Sequence, residues 1–130
     1  MFNPPPHLRI TLPAEPTTPR TARKLISQLI DDTPSASFLE AALLMTSEIV
    51  SNAARLGGDC EMSAWFMPDE PALRVEVSDS SPAMPHLLAP RRPEDVTGRG
   101  LQIVDELSTH WGITPLDQGK SVWFELSPEP

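Results

Sequence analysis

Three short segments of this 130-residue chain place polar groups where they can do chemistry. In Glu48-Ile-Val-Ser-Asn52 a carboxylate and an amide stand one helical turn apart, and an i, i+4 pair projects from a single helical face. Such a pair can converge on a magnesium-bound phosphate or water, because magnesium takes oxygen ligands and keeps several waters. A glutamate that is not itself a ligand can orient or deprotonate an attacking hydroxyl. Asp79 ends the alternating run Val75-Glu-Val-Ser-Asp79. A carboxylate only accepts hydrogen bonds, so it suits an exocyclic amine and favours adenine over guanine, which carries a carbonyl at that position. Thr97-Gly-Arg-Gly-Leu101 leads into a helical pattern. Its glycines let backbone approach closely, and the free amides and dipole of a helix start suit phosphate oxygens. Thr97 adds a hydroxyl and Arg99 a charge.

Each segment also has an ordinary explanation. Glu and Asn stand at the edge of many amphipathic helices, Asp-Ser-Ser-Pro makes a good Asx-type turn, and paired glycines serve turn geometry in many loops. The reading as a magnesium-nucleotide site rests on the set. Competing chemistries find little support. His7, His86 and His110 lack metal-ligand spacing. No Gly-x-Ser-x-Gly or Gly-x-x-x-x-Gly-Lys segment occurs. Cys60 is the single cysteine, which excludes an intramolecular disulfide and a cysteine-held metal; a buried small hydrophobe or a partly exposed thiol at a strand start is expected. Arg91-Arg92 reads as a solubilising pair in a proline-rich stretch. Trp65, Trp111 and Trp123 lie in strand-like segments and read as packing residues.

A formal net charge of −8 argues against direct nucleic-acid binding, which needs a basic face. One mononucleotide needs only a local set of donors and a metal. Hydrophobic content of 39% with 22% charged residues describes a globular domain with a real core. The absence of a long apolar run near the start, where Pro4, Pro5 and Pro6 stand, leads us to expect no membrane segment and a cytoplasmic protein.

The elements that must position these residues are outlined by proline. None of the 16 prolines falls in residues 35–67 or 94–114, where the strongest helices are expected. We expect an extended arm at 1–6, one domain at 7–127 and a tail at 128–130. His7 to Leu12 alternates as a strand ending at Pro13. Thr18 is expected to cap a helix with Pro19 in its first turn, running to about Ile30. The best-defined helix runs from about Ser35 to Leu56, stopped by Gly57-Gly58. At about 100° per residue, Leu39, Ala42, Leu43, Met45, Ile49, Val50, Ala53 and Leu56 share its core arc, with Asn52 on the shoulder. Strands are expected from Cys60 to Met67 and from Leu73 to Ser78, joined by a turn at Pro68-Asp-Glu-Pro71 as a hairpin. A long proline-rich connection at 80–97 precedes a helix from Gly98 to Leu107. Trp111–Ile113 and Ser121–Leu126, with a turn at Gln118-Gly119, complete a second hairpin. This is an α+β pattern: a two-layer sandwich whose mixed, mostly antiparallel sheet carries helices on one face.

The order and content of these segments resemble the GHKL superfamily, the histidine-kinase-like ATPases, and within it small stand-alone actinobacterial members related to anti-sigma-factor serine/threonine kinases. The resemblance spans nearly the whole chain. It rests on Leu12-Pro-Ala-Glu-Pro16, Thr46-Ser-Glu-Ile-Val-Ser-Asn-Ala-Ala-Arg55, Val77-Ser-Asp-Ser-Ser-Pro82, Gly98-Arg-Gly-Leu-Gln-Ile-Val-Asp105, Trp111-Gly-Ile113 and Gly119-Lys-Ser-Val-Trp-Phe-Glu125. It implies ATP held between sheet and helices. By position, Asn52 would hold Mg2+, Glu48 would act as the base and Asp79 would bind the adenine amine. Gly98 and Gly100 would line the phosphates, with Thr97, Arg99 and Leu101 beside them. In such relatives ATP phosphorylates a serine or threonine of an anti-sigma-factor antagonist, while a sigma factor is bound and silenced. A homodimer is left open. Many members follow the adenine-binding aspartate with Asp-x-Gly-x-Gly, where this chain has Asp79-Ser-Ser-Pro-Ala83. Side chains in place of glycine narrow the approach to the base. The expectation is therefore an ATP-binding serine/threonine kinase, with a catalytically silent regulatory binding module as the alternative.

Overall fold

The longest proline-free window becomes the spine of the fold. In the computed structural model, which describes residues 7–30, 35–55, 58–66, 72–80 and 96–128 (backbone only for 96–100), β1 is Leu8–Leu12, α1 Thr18–Leu29, α2 Ala36–Arg55, β2 Cys60–Phe66, β3 Leu73–Asp79, α3 Val96–Leu107, β4 His110–Pro115 and β5 Lys120–Leu126. The expected arm, the Pro68–Pro71 turn, most of the 80–97 connection, Arg91-Arg92, Leu56 and the last two residues lie outside the described residues.

The strands form one five-stranded sheet in the order β1-β2-β3-β5-β4. All four pairings are antiparallel, so no parallel pair, which a mixed sheet requires, occurs among the described strands. Both expected hairpins form. The last strand adds to β3, which leaves β4 on the edge. The α+β two-layer architecture is as expected.

Alternation sets the two faces of the sheet. Leu12, Cys60, Met62, Ala64, Leu73, Val75, Val77, Val122, Phe124 and Leu126 face the helices and are buried. They meet Phe38, Ala42, Met45, Ile49, Val50 and Ala53 of α2, Ala22 and Ile26 of α1, and Leu101 and Val104 of α3 in one cluster. Leu39 and Leu43, placed on the core arc by the helical wheel, are only half-buried, and Phe38 takes the deeper position. The opposite face carries a ladder around Arg74. Its guanidinium lies 4.1 Å from the Trp123 ring centroid and 5.9 Å from that of Trp65, and it bonds Glu76 at 2.7 Å and Glu125 at 2.5 Å. Trp123 lies over Gly112, where a Cβ would come within 2.8 Å of the ring.

Helix ends follow capping chemistry with one change. Ser35 Oγ accepts from the Phe38 amide at 3.1 Å, the N-cap bond of α2. Gly58 has φ +82°, the left-handed conformation that suits a glycine stop. Thr18, expected to cap α1, is instead its first residue, and Thr17 stands at the cap without a side-chain bond. The Thr18 hydroxyl donates to the Pro13 carbonyl and accepts from the Glu15 amide, so it ties down the β1–α1 connection.

Candidate functional site

The inward face of β3 reads Leu73, Val75, Val77 and then Asp79. Strand alternation therefore drives a carboxylate onto the face that should be apolar. Its neighbours across the sheet share that row: the register sets Asp79 opposite Lys120, and Glu61 opposite Ser78 carries Cys60 to Asp79's other side. Lys120 Nζ donates to Asp79 Oδ1 at 3.0 Å, with the two side chains 1% and 2% exposed. Removing both charges from water costs several kcal/mol per ion, and only close pairing offsets it. An ammonium carries three donors. Among the described residues Lys120 uses one of them.

The turn before β5 locks this pair in place. Gly119 has φ +90°, and a Cβ there would fall 1.9 Å from the carbonyl oxygen of Asp79. The Leu116 amide closes the turn on the Gly119 carbonyl at 3.0 Å. On the other side of Asp79, the Cys60 thiol is pushed up to about 11, first by burial, then by the Asp79 charge, then by Asp59.

Helix α2 supplies the next pair. Asn52 is buried, and its Oδ1 accepts from Arg55 Nη2 at 3.4 Å, while Glu48 is half-buried one turn earlier. The amide oxygen keeps a second lone pair, so it remains chemically suited to a hard cation. Arg23 of α1 donates to the neighbouring Ser47 hydroxyl at 2.9 Å and so ties α1 to α2. Between the β1–α1 connection and the last turns of α2, a cavity of about 350 Å³ is bounded by Ala14, Glu15, Pro16, Ser51, Ala54 and Arg55. Neither Asn52 nor Asp79 lines it.

Helix α3 begins at Val96, two residues before the expected start at Gly98, so Thr97, Gly98 and Arg99 stand in its first turn and Gly100 just beyond it. The leading amides of a helix have no intrahelical acceptor. With this start Gly98 falls among them, and Gly100 belongs to the hydrogen-bonded ladder. Leu101 is 3% exposed and packs in the core, where its side chain anchors α3.

Helix α2, which carries Glu48 and Asn52, packs against β3, which ends in Asp79, against β5, which begins at Lys120, and against α3, whose first turn holds Thr97, Gly98 and Arg99. The strand expected from Ser121 begins one residue earlier, at Lys120, which extends the alternation of Val122, Phe124 and Leu126 onto the core face. That alternation is a hint only, since pairing with β3 supplies the buried partner a lysine needs there.

No protein-family model matches the chain, and no curated protein matches it. Among solved structures, the blue-light activated histidine kinase EL346 of Erythrobacter litoralis is similar with a TM-score of 0.58 and 20% identity, over 82% of this chain and 39% of that one. The chain thus spans well under half of that protein's length. At this identity the likeness is one of fold: the sandwich described above resembles a fold found in a histidine kinase.

Proposed function

We propose that this chain binds Mg-ATP between the sheet and α2/α3 and uses it as a protein serine/threonine kinase. Its substrate on this reading is a small anti-sigma-factor antagonist, with a sigma factor as a second partner. The observation that carries the nucleotide reading is the buried Asp79–Lys120 pair, an ionised acceptor and an under-used donor at the end of β3 and β5. An apolar fold has no need of such a pair, and hydrophobic residues of similar volume commonly serve stability as well or better. The donor set fits the ligand. Asp79 accepts from an amine, the Asn52 amide oxygen suits magnesium, and the first-turn amides of α3 suit phosphate oxygens. Bound there, Mg-ATP supplies the transferable phosphoryl group. Glu48, one turn from Asn52, takes the proton from an incoming hydroxyl, a role typically worth about 10²–10⁴-fold in rate. Support for the kinase and its partners comes from the ordered segments of the sequence.

The sealed state of Asp79, together with Ser80-Ser81-Pro82 after it, favours a second reading: a regulatory module that binds its partner without phosphoryl transfer. Phosphate incorporation into candidate antagonist proteins separates the two. For the kinase, wild type transfers phosphate, and Glu48→Gln loses transfer by about 10²-fold or more while still binding Mg-ATP. The silent module transfers nothing in either form, and its partner binding ignores the substitution.

A further inference from the structure

We infer that Lys120 reads the nucleobase together with Asp79, donating to the ring nitrogen N1 of adenine while the carboxylate accepts from the neighbouring 6-amine. The inference rests on the Mg-ATP reading and adds a base-contacting residue to it. A lysine ammonium has three N–H donors, and burial makes each unfilled one costly. Among the described residues Lys120 fills one, on Asp79 Oδ1 at 3.0 Å, with its side chain 1% exposed. Within those residues the ammonium has donors to spare.

The neighbouring groups decide which acceptor fits. A phosphate would meet the ammonium favourably but would sit against the Asp79 carboxylate, whose charge also contributes to the shift of Cys60. An uncharged edge carrying a donor beside an acceptor meets both groups at once. Adenine offers this in its 6-amine and adjacent N1. Guanine in the same pose would set O6 against the carboxylate and N1–H against the ammonium, like against like at both positions. Lys120 is also held for the task. Gly119 before it is pressed to the Asp79 backbone, and Val122 and Phe124 beyond it are buried in the core. Its ammonium therefore costs little further ordering when a base arrives.

Calorimetric titration of the magnesium complexes of ATP, 1-deaza-ATP and 7-deaza-ATP tests this without altering the protein. The expected result is a roughly ten- to hundredfold loss of affinity for 1-deaza-ATP, the scale of one hydrogen bond from a charged donor, with 7-deaza-ATP binding like ATP. Lys120→Met should then bind ATP and 1-deaza-ATP alike. Equal binding of ATP and 1-deaza-ATP by the wild type overturns the role of Lys120 and leaves the Mg-ATP reading standing. A loss confined to 7-deaza-ATP overturns it as well. If the wild type binds none of the three, the nucleotide reading falls and this inference with it. Should Lys120→Met fail to fold, the wild-type comparison decides alone.

Discussion

At the scale of residues, the Asp79–Lys120 pair and Cys60 carry the sharpest consequences. Lys120→Met leaves a buried carboxylate without its cation and should cost about 3–5 kcal/mol in urea unfolding. Asp79→Asn combined with Lys120→Met should recover much of that loss, because the double variant buries neither charge of the pair. A double variant as unstable as the sum of the two singles would mean the groups do not interact. Cys60 gives a pH signature. Its folded-state value of about 11 lies above the ordinary 9.0, so the folded form holds the proton more tightly than the unfolded one. The stability this contributes is complete below pH 9 and is lost as pH rises through about 11. Cys60→Ala should flatten that alkaline decline in chemical denaturation measured from pH 8 to 11, although the smaller side chain lowers stability at every pH. Asp79 was legible as a chemical residue because it breaks a strand's apolar alternation at a turn. Its partner was not, since a lysine beside glycine reads locally as turn surface. Only the pairing of β5 with β3, distant in sequence, turns it inward.

Elements show the same division between local and non-local information. Helix α2 could be read in the sequence because a proline-free run with a 3.6-residue apolar period and a terminal glycine is a local pattern. The start of α3 is less legible: helical spacing is evident from Gly98, while Val96 and Thr97, which open the helix, continue no local period. There the helix is held by burial of Leu101 and Val104 rather than by propensity. The deeper burial of Phe38 over Leu39 and Leu43 likewise depends on which neighbours α2 meets. Two glycines test the turn argument. Gly58 and Gly119 both have positive φ, at +82° and +90°, but a Cβ at Gly58 meets nothing within 4 Å while one at Gly119 meets the Asp79 carbonyl oxygen at 1.9 Å. Gly58→Ala should cost about 1–2 kcal/mol, the conformational penalty alone. Gly119→Ala should cost clearly more and should also weaken nucleotide binding, since relief of the clash displaces the end of β3. Equal losses in urea unfolding would show that the β4–β5 turn does not brace Asp79.

For the whole molecule, the sequence supports an α+β sandwich with helices over one face, while the sheet order rests on long-range pairing. Placing β5 between β3 and β4 brings Lys120 to Asp79 and closes one end of the core with charge. Helix α2, which carries Asn52, packs on both strands of that pair and on α3. The account's central claim is that this end of the sandwich holds Mg-ATP. The most direct test is calorimetric titration of ATP with and without magnesium, on the wild type and on Asn52→Ala. The predicted result is saturable one-to-one binding to the wild type that weakens when magnesium is withheld. Asn52→Ala should lose that magnesium dependence while melting with only a modest shift. No binding of ATP to the folded wild type, or binding indifferent to magnesium and to Asn52, would contradict it.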